Sequence, residues 1–479
     1  MQKSCINLLV MRYVVIDVVM CILFTMRKYT IFKLFSFSFL IIASILSVNC
    51  KSAQCLKGQS DGGLVINEKH VLKPINFSKL KEALMQWHPD PFAYLSEIEF
   101  DSLLNYTVQN LPKDSVSETE FFYQLRRVFD NVTNGDPHFR FVCCPYLEND
   151  KDVKHLKLLP VTFLCINDTL MIDRSIDSRL KRGDRVVKID GMPTDDFLKY
   201  TYRDRFFPAS HMLSNYHFYY KESYKLTIER GRDCFDLAID GISNLEYSKK
   251  KAPNILVDLK QGYGYIRINE FKNNQEIIKR LSALIDQVKR NGGQTIVLDI
   301  RQNAGGTGED FDELISLFCD KPTIPFQAKE LLKVSEATLD YGFSRDSIGK
   351  LISLPDTMFY REVLLQPDRY KGPMNVYVIV SKNTGSIAAT FANILQFNNI
   401  ATIVGEPLKR NALKFGEVIK VNLLHSYAVV STTESDVYTN AINGVLYPDI
   451  PIPYIASEYM NGGDPVLEKL LRYLKNKKL

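Results

Sequence analysis

Residues 295–300, Thr-Ile-Val-Leu-Asp-Ile, form an almost wholly apolar run, as do residues 375–380, Asn-Val-Tyr-Val-Ile-Val, and the shorter residues 401–405. Runs of this length without polar alternation suit strands covered on both faces of a parallel sheet. Before and after them the period changes. Residues 275–290 place Ile278, Leu281, Leu284, Ile285 and Val288 on one helical face, and further helices are expected over residues 309–318 and 386–396. With a strand at residues 264–268 ahead of them, this order predicts an α/β core over residues 250–479. The intervening residues 321–372 carry Pro322, Pro325 and Pro355 and read as a surface excursion or lid.

Upstream, residues 76–150 begin with helical spacing. Leu80, Leu84 and Trp87 recur by four and three, and His88-Pro89-Asp90-Pro91 stops the helix. A second helix is expected from Ser115, with Phe121, Phe122, Leu125, Val128 and Phe129 as its apolar face, followed by the turn Asn134-Gly135-Asp136-Pro137-His138 and a strand from Phe139. Residues 155–248 hold shorter strands, among them residues 169–172 and 185–189. Gly183 and the Asp190-Gly191 pair bracket the latter as hairpin turns do. This segment resembles the Gly-Asp, strand, Asp-Gly stretch of PDZ-like domains, which bind peptides by strand addition; any small β-barrel would use the same turns.

The first fifty residues do not share these patterns. Met26-Arg27-Lys28 and Lys33 precede an uncharged apolar run, residues 34–46, that ends at Ser47-Val48-Asn49-Cys50. A basic start, an apolar stretch of about 13 residues and a small-residue exit form a secretory signal, shorter than the roughly 20 residues of a membrane span. Cys50 resembles the acylated cysteine of a bacterial lipoprotein, so a lipid anchor in the periplasm or at the cell surface is expected. A simple cleaved signal and a single anchoring helix are the alternatives. An additional apolar run over residues 14–24 makes Met26 the more natural start, and residues 51–75 read as a tether.

Composition then narrows the function. The chain has 479 residues, 46% hydrophobic and 24% charged, enough for two or three globular domains. Of its net charge of +5, the first fifty residues supply +4 (Lys3, Arg12, Arg27, Lys28 and Lys33 against Asp17), leaving about +1 for the rest. No basic field is present to attract nucleic acid. Nine cysteines occur without CxxC spacing, so neither a zinc site nor any other metal or cofactor is expected.

Candidate chemistry lies where two strand-to-helix turns open at the carboxyl edge of the sheet. One is glycine-rich, Asn303-Ala304-Gly305-Gly306; the other is Thr384-Gly385-Ser386-Ile387-Ala388. A serine at a helix start lies beside unsatisfied N–H groups that can stabilise a tetrahedral oxyanion. The same position suits a simple N-cap. Asn303 to Gly308 also has the look of a phosphate loop, but it contains neither G-x-G-x-x-G nor G-x-x-x-x-G-K-[ST].

Taken in order, Asp299-Ile300-Arg301-Gln302-Asn303-Ala304-Gly305-Gly306, Thr384-Gly385-Ser386-Ile387-Ala388 and Val404-Gly405-Glu406-Pro407 resemble the tail-specific (C-terminal-processing) serine peptidases and their tricorn-core relatives. His88-Pro89, Gly135-Asp136-Pro137-His138 and Tyr447-Pro448-Asp449-Ile450 extend the resemblance over most of residues 75–455. It implies a ClpP/crotonase-like α/β protease core with an N-terminal helical segment and an inserted PDZ-like β domain. The activity implied is that of an exported serine endopeptidase acting on peptide or protein substrates through an acyl-enzyme, with a catalytically inactive, peptide-binding homologue as the alternative. By the same resemblance Ser386 is the nucleophile, and the N–H groups of Gly305 or Gly306 and of Ile387 form the oxyanion hole. The base is His138 of the Asp-x-His turn, a shifted lysine at Lys414, or neither; the lysine position of the processing peptidases holds Asn411. The acidic residue expected before the Pro-Asp motif is replaced by Asn440-Ala441-Ile442-Asn443, with Glu434 and Asp436 nearby.

Overall fold

One sheet has six strands in the order Ile255–Lys260, Tyr263–Ile268, Thr295–Asp299, Asn375–Val380, Thr402–Gly405 and Ile450–Pro451. Only the first pair is antiparallel. The structure is a computed structural model that describes residues 77–110, 136–143, 157–199, 206–208, 222–250, 253–260, 262–356, 358–409, 411–423 and 426–477. The expected signal segment with Cys50, the expected tether and the helix expected from Ser115 lie outside the described residues.

The apolar runs have no polar face because the sheet has two cores. Ile296, Leu298, Val376, Val378 and Ile403 point to one side, where Ile277, Leu281 and Leu284 of the helix Asn274–Arg290 meet Ala388, Phe391 and Leu395 of the helix Ile387–Phe397. Val297, Tyr377, Ile379 and Val404 point to the other, against Leu164, Ile166 and Met171 and against Val466 and Leu470 of the helix Pro465–Lys477. Each buried aliphatic side chain contributes about 1.5–3 kcal/mol, so polar substitution on either face is costly.

The side chains Leu164, Ile166 and Met171 come from a seven-stranded sheet of residues 161–240, in which neighbouring strands run antiparallel. Its Asp190-Gly191 turn has both residues at positive φ, +50° and +83°, as a two-residue hairpin requires.

A third sheet departs from expectation. Gln327–Lys333 pairs with Ser426–Val437, which also pairs with Phe415–Leu423 and, further along, with Arg140–Cys143. Residues 321–372 are therefore not simply a surface excursion: Ile324, Leu332, Val334 and Leu365 are buried. Their apolar side chains needed an interior, and the pairing with Ser426–Val437 supplies it.

Candidate active site

The strands Thr295–Asp299 and Asn375–Val380 are neighbours, so the turns that follow them meet at one edge. Side chains stitch those turns together. Thr384 Oγ1 donates to Ile300 O at 3.0 Å and Ser381 Oγ to Arg301 O at 2.7 Å. Gly385 N–H donates to Asn303 O at 3.1 Å. Below them Arg301 is buried and ion-paired with Asp299 and Asp464; burial opposes its charge, but these two carboxylates outweigh burial and raise its pKa further.

Ser386 occupies the backbone N-cap position of the helix Ile387–Phe397, yet its side chain makes no capping hydrogen bond. Its φ of +48° and ψ of −134° lie where a serine is strained, and such strain gathers at functional sites. The capping explanation for this serine is therefore not the one the structure uses. Ser386 is half-buried.

Gly305 is the close neighbour. At φ +128°, a methyl group built on it would stand 2.7 Å from Ser386 Cβ and 3.3 Å from Ser386 Oγ, so only glycine admits the serine. Gly305 N–H is already given to Asn303 Oδ1 at 2.9 Å, which leaves it engaged within its own turn. Gly306 N–H and Ile387 N–H have no acceptor among the described residues. Of the glycine donors named from sequence, Gly306 is thus the one left open. Gly306 itself is pinned from behind, since a side chain there would strike the carbonyl oxygen of Phe271.

His138 lies in a separate polar cluster that sequence reasoning resolved only in part. Asp136, buried, receives His138 Nδ1 at 3.3 Å and His138 N–H at 2.8 Å on one carboxylate oxygen, and His88 Nε2 at 3.0 Å on the other. Asp90 N–H donates to His88 Nδ1 at 3.0 Å, so the His88 proton sits on Nε2 and points at Asp136. Burial works to raise the Asp136 pKa, but the hydrogen bonds from the two histidines outweigh it and hold the carboxyl well below the usual range. With its Nδ1–H tied to a carboxylate, His138 keeps Nε2 free as a proton acceptor. Ser386 Oγ makes no hydrogen bond to it among the described residues.

Lys414 is placed differently. Its Nζ pairs with Asp90 and Glu434, each at 3.3 Å, and lies over the Phe415 ring. A lysine base must shed counter-ions and water; Lys414, about a third exposed, keeps both. Asn411 replaces the family's lysine for a local reason: it sits at φ +56° and its N–H donates to Gly444 O at 2.6 Å, a left-handed turn position that asparagine tolerates well. Lys414→Met is expected to leave peptide turnover near that of wild type in steady-state kinetics, whereas loss of a general base costs about 100- to 10,000-fold.

Glu330 and its neighbour Glu417 were not singled out from sequence. Glu330 is half-buried, and burial together with Glu417 beside it raises its pKa to about 7. Because the unfolded chain ionises this group near pH 4.3, folding binds a proton more tightly there and stability falls as pH rises through about 7. Glu330→Gln is accordingly expected to melt above wild type at about pH 8 and to lose that advantage towards about pH 5, as thermal melts at the two values would show. Among the described residues no group of three His, Cys, Asp or Glu side chains could hold a metal ion.

Residues 262–451 match the family model of peptidase family S41. Among solved structures, a mutant of CPAF has 13% sequence identity and a TM-score of 0.57, covering 81% of this chain and 93% of that one. Mature CPAF complexed with lactacystin has 14% identity and a TM-score of 0.56, covering 83% and 96%. At such identities the likeness is one of fold. It is nonetheless a likeness over nearly the whole of each CPAF chain, and the family match spans both strand-to-helix turns, Ser386 and the Pro-Asp motif. Over residues 262–451 the chain is thus similar to peptidase family S41.

Proposed function

We propose that this chain is an exported serine endopeptidase that cleaves extended or C-terminal peptide segments through an acyl-enzyme. The observation that carries the reading is Ser386: a strained serine at a helix start, without a capping bond, pressed against Gly305 and flanked by the open N–H groups of Gly306 and Ile387. In this mechanism Ser386 Oγ attacks the scissile carbonyl carbon while its proton passes to His138 Nε2. Gly306 and Ile387 N–H hold the oxyanion. Collapse transfers the proton from Nε2 to the departing amine and leaves an ester on Ser386. Water, deprotonated by His138, then attacks the ester and releases the acid. Asp136 holds the imidazole with Nε2 forward, as a buried carboxylate does for a catalytic histidine.

Residues 26–50 would deliver the enzyme across the membrane and leave it anchored at Cys50. The seven-stranded sheet, read as PDZ-like, would take a peptide along its Asp233–Asp240 edge, where most side chains are at least partly exposed.

Purified protein treated with a fluorophosphonate probe tests the proposal, with labelling located by peptide mass spectrometry. A single adduct at Ser386, together with cleavage of unlabelled peptides, supports it. The missing hydrogen bond between Ser386 and His138 favours a second reading, a peptide-holding homologue without turnover. Unlabelled protein that still binds peptide would select that one.

A further inference from the structure

The segment that leaves the strand Tyr263–Ile268 runs beside the glycine turn. Phe271 N–H donates to Gly305 O at 2.9 Å, and Thr307 N–H donates to Phe271 O at 2.8 Å, a single parallel bridge that centres Phe271 on Gly306. Those two bonds fix a direction. The carbonyl and N–H of one trans peptide unit point opposite ways, so a Gly305 carbonyl turned to Phe271 turns the Gly306 N–H away from it. Ser386 lies on that far side. Sheet order runs from Tyr263–Ile268 through Thr295–Asp299 to Asn375–Val380, and the segments that follow these strands keep it: Phe271 touches Gly306, and Gly305 touches Ser386.

A side chain grips the same turn. Asn274, the first residue of the helix Asn274–Arg290, is buried, and its Nδ2 donates to Thr307 O at 3.0 Å and to Glu309 O. Only the nitrogen of an amide can meet two carbonyls, and Asn274 Oδ1 has no partner among the described residues. Both donors of this side chain therefore go to the glycine turn. Aromatic rings complete the support. Phe271 lies 4.8 Å from Phe311 of the helix Phe311–Ser316 and 5.3 Å from Phe391 of the helix Ile387–Phe397, and the latter two are 5.3 Å apart, all edge to face. The segment beside Gly306 is thus packed on the helices that follow both turns.

Resting on the peptidase reading above, we propose that the Asn274 side chain and the Phe271 backbone form a clamp on the glycine turn that aims the Gly306 N–H at the oxyanion. Both are positioning residues, since each acts through Gly306 and neither meets the reacting atoms. As Ser386 Oγ adds to the scissile carbonyl carbon, the C=O electron pair moves onto oxygen. The clamped N–H meets that charge without the turn having to reorganise.

Peptide kinetics and fluorophosphonate labelling of Asn274→Ala and Asn274→Asp test the clamp. Aspartate keeps the shape of asparagine but brings no amide donors to the two carbonyls. Both variants should lose kcat by roughly tenfold to a hundredfold, part of what full loss of an oxyanion donor costs. KM should stay within about twofold, since the donor acts on charge that only the transition state carries. Labelling should slow in proportion to kcat, because the phosphonyl oxygen gathers charge in the same place as fluoride leaves. The pH profile of kcat/KM should keep its midpoints, which an effect through His138 would move. Leu470→Ala, in the opposite core, should melt lower yet keep wild-type kcat, so that lost stability is told apart from lost positioning. The backbone half is read by an amide-to-ester change at Phe271, which deletes the N–H bonded to Gly305 O and leaves the ring in place. It should give the same loss of kcat, whether or not the Asn274 variants fold. Folded Asn274 variants, or a Phe271 ester, with kcat within about twofold of wild type would overturn the inference. So would a loss confined to KM, or a Leu470→Ala enzyme that loses kcat as far as they do. Wild-type protein that the fluorophosphonate leaves unlabelled sinks the peptidase reading itself, whereas labelled wild type with unaffected variants sinks the clamp alone.

Discussion

Ser386→Ala should abolish peptide cleavage and fluorophosphonate labelling while leaving the melting temperature where it was. Removing a serine nucleophile costs on the order of a million-fold in turnover. A capping serine changed to alanine would cost about 1 kcal/mol, but Ser386 makes no capping hydrogen bond, so that loss has no source here. Ser386→Gly sharpens the test. Glycine adopts a φ of +48° without a Cβ penalty, so relief of strain, on the order of 1–3 kcal/mol before the entropy of the freer unfolded chain is subtracted, should raise the melting temperature of an inactive enzyme. Differential scanning calorimetry alongside a peptide-cleavage assay separates the outcomes. An alanine variant that still cleaves would remove Ser386 as nucleophile, and a glycine variant that melts below wild type would show that the strain is not borne by this residue.

Gly305→Ala should have the second-largest effect, and it should appear in both assays. The new methyl would stand 2.7 Å from Ser386 Cβ, nearer than carbon atoms approach, and φ +128° is closed to alanine. Either the glycine turn or the serine must move. Because Gly385 N–H is bonded to Asn303 O, the two turns move together and the proposed oxyanion donors shift relative to the proposed nucleophile. Misplacing one oxyanion donor costs about 100- to 1,000-fold in kcat. Overpacking of this kind also costs about 1–3 kcal/mol of stability. A Gly305→Ala enzyme with normal kcat would mean that the loop does not face the reacting carbonyl.

The parallel core was legible because its signal is redundant. Runs such as residues 295–300 must be buried on both faces, and the helix Asn274–Arg290 ahead of them shows its inward face at each turn. The third sheet was not. Gln327–Lys333 reads Gln-Ala-Lys-Glu-Leu-Leu-Lys, residues that favour helix, and becomes a strand because Ser426–Val437 offers a ladder about a hundred positions away. Local propensity carries no trace of such a partner. The site divides in the same way. Ser386 and the glycine turn were visible because short motifs follow recognisable strands, and His138 because Asp-x-His is a local pattern. That Asp136 would also bind His88, that Gly305 N–H would be taken by Asn303, and that Asn274 would hold the glycine turn depend on contacts between distant segments.

The pairing of Arg140–Cys143 with residues 426–429 joins segments nearly three hundred positions apart, while Ser386 is held by turns within its own core. Closing so long a loop is entropically costly and slow, so contacts of this range form late in folding. The proposed nucleophile and the proposed base thus belong to different stages of maturation. A chain emerging from a ribosome or a translocation channel holds His138 early and Ser386 later, and it has no competent centre until the strand Ser426–Val437 is in place. On the proposed mechanism, unfinished copies would therefore be unable to cleave one another.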